Sequence, residues 1–122
     1  MSLSGNALRL TVFLSQDDKF GHHPLYTEII RRARAAGLAG ATVLRGYEGF
    51  GASSHLHTSR LLSLSDDLPA LVVIIDRPDP ILDFLPQVRE LTTGLVTLEE
   101  VEVVSFADGI RARQGERHDA SG

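Results

Sequence analysis

His55 and His57, one residue apart, are the first place in this 122-residue chain where residue type and spacing suggest chemistry. In an extended segment the two imidazoles share a face and can hold a transition metal, with Asp66 or Asp67 as a third ligand. Solvated loop surface is the competing reading. His22 and His23 precede Pro24 at a helix start, where a local turn or capping role competes with donation to a ligand alongside Lys19, or with His22 as a base. Asp17-Asp18 and Asp66-Asp67 are adjacent carboxylates of the kind that solvate turns. Gly46-Tyr47-Glu48-Gly49-Phe50-Gly51 packs three glycines into six residues, either as a turn leaving a strand or as a ligand corner. Arg111 and Arg113 lie near the chain end, where polar residues are commonly solvated.

These groups do not assemble a catalytic set. The chain has no cysteine, which removes disulfides, thiolate metal sites and thiol nucleophiles. No serine sits in a G-x-S-x-G elbow, and neither a Walker A nor a dinucleotide-binding fingerprint is present. Nothing joins a nucleophile, a base and an oxyanion donor, so the expectation is a protein that binds and does not catalyse, without a cofactor. A net charge of -4 gives no positive field toward nucleic acid or anionic membrane. The longest apolar run, Leu71 to Ile75, falls far short of the roughly 20 residues that span a bilayer. Met1 to Asn6 lacks the features of a signal peptide, and a cytoplasmic location is expected.

The elements that must position these residues follow from apolar period. Leu8, Leu10, Val12 and Leu14 alternate with Arg9, Thr11 and Phe13 and predict a first strand with one strongly apolar face. Ser15 to His23 reads as a polar loop. Pro24 opens a helix with a stripe of Leu25, Ile29 and Ala33, stopped by Gly37. Ala41 to Gly46 predicts a second strand, and 52–67 a long mobile loop. Leu71 to Ile75 has the continuous apolarity of a strand covered on both faces. Asp79 and Pro80 cap and open a second helix, with Ile81, Phe84, Leu85, Val88 and Leu91 at helical spacing and Gly94 as its stop. Leu95 to Phe106 is a last strand, interrupted at Glu99-Glu100, and 107–122 form a C-terminal segment.

The order βαββαβ makes one α+β domain over 1–122 with its core at 8–106: a ferredoxin-like sandwich, an antiparallel sheet with two helices on one face. Two helices cover one face only, yet the third strand is apolar on both. At roughly 25 cal/mol per Å², leaving the second face wet would cost several kcal/mol. Self-association around a threefold axis is the expected remedy.

Gly37-Leu38-Ala39-Gly40-Ala41-Thr42-Val43 followed by Gly49-Phe50-Gly51 resembles the second strand of the PII signal-transduction proteins. Leu68-Pro69, Thr93-Gly94 and Ile110 to Glu116 extend the likeness. Gly21-His22-His23-Pro24-Leu25-Tyr26, Arg45 to Gly51 and Leu64 to Pro69 are similar to the hallmarks of the uncharacterised PII-like family of bacteria and archaea. The resemblance runs from about Leu8 to Glu116.

That resemblance implies a homotrimeric sensor with a small anionic ligand, an adenine nucleotide foremost, in clefts between subunits. Gly40 and Thr42 match positions lining the base. Gly49, Phe50 and Gly51 match the corner whose backbone N–H groups approach the anion. Thr93 and Gly94 match the start of the phosphate loop. Arg111 and Arg113 match arginines whose guanidinium forks reach phosphate. Leu95 to Glu100 replaces that loop's glycines and lysine with two carboxylates, which disfavours a triphosphate. Ligand would order the long loop onto a target protein, for which a membrane transporter is a candidate. The alternative is a metal- or ion-linked trimer of the CutA type serving ion homeostasis, with His55 and His57 as ligands.

Overall fold

The computed structural model of the chain describes residues 5–51 and 68–105. In β1 (Gly5–Ser15) the alternating pattern sends Leu10, Val12 and Leu14 to one side, where all three are fully buried. The strand closes into a turn in which Asp18 accepts the Ser15 N–H at 3.0 Å. The segment that reads as an irregular loop then contains a small hairpin, β2 (Lys19–Phe20) against β3 (His23–Pro24), with Gly21 at φ 63° between them. Helix α1 (Leu25–Ala35) follows Pro24 directly, and Gly37 takes the left-handed conformation expected of a helix stop, φ 81°.

β4 (Thr42–Arg45), β5 (Pro69–Asp76), α2 (Pro78–Leu91) and β6 (Val96–Val103) complete the domain. The last strand stops at Val103, short of Phe106, and both boundaries of α2 differ from expectation. Pro78, not Pro80, is the first residue of α2; it follows Arg77, which has the extended backbone of an N-cap, and Asp79 lies in the first turn. The helix ends at Leu91 and not at Gly94. Thr92 turns extended there (φ -151°, ψ 151°), and its hydroxyl accepts the Gly94 N–H at 2.9 Å. A side-chain turn does the work assigned to glycine.

The sheet order is β4-β5-β1-β6, antiparallel throughout. With a helix following the first and third long strands, this is the ferredoxin-like α+β sandwich. Ile29 and Ala33 of α1 and Ile81, Phe84 and Val88 of α2 pack on Leu10, Val12, Leu14, Val72 and Ile74 in one core.

The other face of the sheet is open. Continuous apolarity in β5 predicts burial on both sides, but within one copy only alternate residues are buried: Ala70, Val72, Ile74 and Asp76, while Leu71, Val73 and Ile75 are partly exposed. Register puts Leu44, Leu71 and Phe13 in one row across this face, and Thr42, Val73, Thr11 and Thr97 in the next. The first row is wholly apolar.

Candidate functional site

β4 is a four-residue edge strand, and the structure holds it at both ends. At its entry Asp76, 1% exposed, accepts the Ala39 N–H through Oδ2 at 2.8 Å and the Arg77 N–H through Oδ1 at 2.7 Å. Gly40 and Thr42 follow immediately. At its exit the Gly46 N–H donates to the Pro69 carbonyl at 2.7 Å. The corner then passes through Gly49 to Gly51, which sits at φ 90° with nothing near the place of a Cβ. Glycine at 51 is therefore required by the backbone conformation itself. Tyr47 and Phe50 project from this corner 94% and 96% exposed.

Thr93 and Gly94 occupy the turn between α2 and β6. Beside them opens a cavity of about 270 Å³, lined by Asp18, Lys19 and Leu25 on one side and by Glu90, Thr92 and Thr93 on the other. Lys19 supplies positive charge and two carboxylates supply the opposite sign, so a fully ionised polyphosphate is a poor fit, whereas a small or singly charged group is not.

Corner and turn lie at the same end of the sheet but on opposite edges. Gly46 is level with Pro69 and Ser15, and the Leu95 carbonyl accepts the Phe13 N–H at 2.9 Å. Three strand spacings of about 4.8 Å separate β4 from β6, roughly 14 Å. Gly40 and Thr42 stand at the far end of β4. One copy thus holds the described candidates as three groups: Gly40 with Thr42, Gly49 to Gly51, and Thr93 with Gly94. Arg111, Arg113, His55, His57, Asp66 and Asp67 lie outside the described residues, as do 52–67 and 107–122. Among the described residues no three metal-ligating side chains gather, and no helix is long and apolar enough to cross a membrane.

Residues 7–103 match the model of the family described as Uncharacterized ACR, COG1993, or DUF190. The chain belongs to this family. A UPF0166 protein of Aquifex aeolicus is 39% identical over 95 residues, covering 78% of the chain and 90% of the relative. A UPF0166 protein of Methanocaldococcus jannaschii is 28% identical over 96 residues, covering 77% and 88%. Among solved structures, the chain is similar to CPII from Thiomonas intermedia K12 bound to ADP and bicarbonate, with a TM-score of 0.48 at 21% identity, covering 80% of this chain and 88% of the other. A second CPII structure, described as a nitrogen regulatory PII-like protein bound to ADP, AMP and bicarbonate, gives a TM-score of 0.47 at 20% identity over the same shares. The uncharacterised family expected from the Gly21 to Tyr26, Arg45 to Gly51 and Leu64 to Pro69 stretches is the one matched.

In this DUF190 member the acidic pair on β6 does not present two charges to one place. Glu99 lies on the open face opposite Arg9, whose Nε donates to Glu99 Oε1 at 2.8 Å. Glu100 is opposite Leu8, on the helix side. The strand runs through both residues uninterrupted, because alternation sends consecutive side chains to opposite faces.

A residue that sequence reasoning missed tightens the region around the cavity. Glu28, 3% exposed, accepts from Arg31 at 2.7 Å and 3.0 Å and from Arg32 Nε at 2.7 Å. Arg32 also lies 5.3 Å from the centre of the Phe20 ring and 3.9 Å from Glu90. The guanidinium thereby ties the hairpin that carries Lys19 to both helices. Hydrogen bonds from Arg31 and then Arg32 hold the Glu28 carboxyl at about 2, below its ordinary 4.5. A lowered carboxyl pKa contributes stability that is complete above about 4.5 and lost as pH falls toward about 2. Acid unfolding followed by circular dichroism is expected to show that loss in this window, and Glu28→Gln to flatten the pH dependence there. An unchanged profile in Glu28→Gln would show that the carboxylate does not carry it.

Proposed function

We propose that this protein is a homo-oligomeric sensor, a trimer by its resemblance to PII-like proteins, that binds a small anionic ligand at the seams between copies and does not catalyse. Adenine nucleotide is the first ligand class, and a partner protein is regulated through the segment that follows Gly51. The observation that carries the reading is the open sheet face. Its row of Leu44, Leu71 and Phe13 runs to the very edge where the glycine corner sits. A second copy covering that face brings its own surface against the corner.

The separation of the candidate groups supports the same arrangement. About 14 Å between the two edges is too far for one small anion to touch Gly51 and Thr93 of a single copy. Across a seam, the corner of one copy and another element of its neighbour can close on one ligand. The mixed charge around Lys19 favours a nucleotide less charged than a triphosphate.

Calorimetry of the assembled protein with AMP, ADP, ATP and bicarbonate tests this. ADP or AMP is expected to bind with ATP weaker by about tenfold, roughly 1.4 kcal/mol, in line with the Asp18 and Glu90 carboxylates beside Lys19. No heat from any of the four at millimolar concentration would remove the sensing function.

A further inference from the structure

We infer that Pro69 is the positioning residue of the glycine corner, its ring gripped between Gly46 and Gly49. A Cβ built on Gly46 would stand 2.4 Å from Pro69 Cγ and 3.0 Å from both Cδ and the carbonyl oxygen. One built on Gly49 would stand 3.1 Å from the same Cγ. Contacts below 3 Å between carbons lie far inside the repulsive wall, since optimal separation is about 3.5–4.0 Å. Gly46 therefore has a glycine's surface because the ring occupies the side chain's place, and Gly49 is pressed by the same atom from the other side of the bend at Tyr47 and Glu48. The 2.7 Å hydrogen bond from Gly46 N–H to Pro69 carbonyl closes the grip through the backbone.

Pro69 is itself held by the sheet. It opens β5, where proline's missing N–H costs no ladder bond at the first position, and it pairs in register with Ser15 of β1. Its neighbour Leu68 accepts the Gln16 N–H at 2.8 Å. Ring position is thus set by the central strands and handed to the corner by contact alone. The glycines at 46 and 49 serve this internal packing, while Gly51, whose Cβ position is open, is the one free to face a ligand. Effects on affinity rest on the ligand reading above; the placement of the corner does not.

The test compares wild type, Gly46→Ala, Pro69→Ala and the double variant Gly46→Ala with Pro69→Ala. Two readouts are used: the amide resonances of Gly49 and Gly51 without ligand, and ADP affinity by calorimetry well below melting. Gly46→Ala is expected to displace both resonances and weaken ADP at least tenfold. Removing the ring takes away two of the three atoms nearest the new methyl, Cγ and Cδ, so the double variant is expected to return most of the way on both readouts. A general loss of stability would not be repaired by deleting a second side chain. If Gly46→Ala does not fold, Pro69→Ala alone is read: loss of the ring is expected to displace the Gly49 and Gly51 resonances, and unmoved resonances overturn the inference. Unmoved resonances in the single variant, or a double variant no nearer to wild type, overturn the inference. Wild type that binds no ADP overturns the sensing function alone, and the resonances still decide the grip.

Discussion

Val73→Glu is expected to convert the proposed assembly into a folded monomer of 13.3 kDa. Val73 sits mid-strand on the open face, in register with Thr42 on one side and Thr11 on the other, with Leu71 and Ile75 along the same strand. In an isolated copy a glutamate there reaches water over the rim of its neighbours. Beneath a second copy it is an unpaired charge in an apolar seam, with a penalty of several kcal/mol. The helix side of β5, carried by Val72 and Ile74, is untouched, so the fold persists. Light scattering coupled to size exclusion reads the mass, and far-ultraviolet circular dichroism reads the fold. Wild type eluting as a monomer at micromolar concentration, or an oligomeric Val73→Glu, would sink the seam and the pockets proposed along it.

Asp76→Ala is expected to lower the unfolding free energy, read by urea titration, by about 3 kcal/mol. Hydrogen bonds to a charged group are worth about 1.5–3 kcal/mol each, and losing a buried acceptor leaves its donors unsatisfied. Two N–H groups depend on this carboxylate, from Ala39 and Arg77. The Arg77 side chain is also 4.0 Å away but half exposed, so its ion pair adds little. Asp76→Asn keeps one acceptor and turns the other into a donor facing an N–H, and about half the cost is expected. A loss under 1 kcal/mol in Asp76→Ala would mean that the loop entering β4 finds its partners elsewhere. Because Gly40 and Thr42 begin just beyond Ala39, the same variant is expected to loosen the entry of β4 while leaving the Pro69 end in place.

The core was legible from period alone. Leu10, Val12 and Leu14 on one strand and Ile81, Phe84 and Val88 on one helix are buried because alternation of two and spacing of three to four leave a chain only one way to hide them. The stop at Gly37 was legible for a local reason, since few residues but glycine accept φ 81° cheaply. Local signals misled where two devices compete for one job. Thr92 ended α2 with a side-chain turn before Gly94 was reached, and Pro78 opened it before Pro80.

Site residues were legible only in part. Gly46 to Gly51 stood out by composition, but the reason for each glycine did not: Gly46 answers to Pro69, Gly49 to Pro69 and to its own φ of 159°, and Gly51 to its own backbone. Asp76 gave one weak signal, an acid ending an apolar strand, with nothing to connect it to Ala39. Glu28 carries no sequence signal that sets it apart from other helix residues; burial and two arginines make it a hub.

Sequence alone settled the layer architecture and the family, because both depend on patterns read along the chain: where apolar residues recur and which short stretches occur in which order. Which candidates lie near one another was decided by tertiary structure. Strand order set β4 and β6 on opposite edges, and no local preference encodes that distance, since it comes from how non-adjacent strands pair. The same pairing left one face of the sheet open, and that surface, invisible in any single strand, is what the proposed second copy would cover.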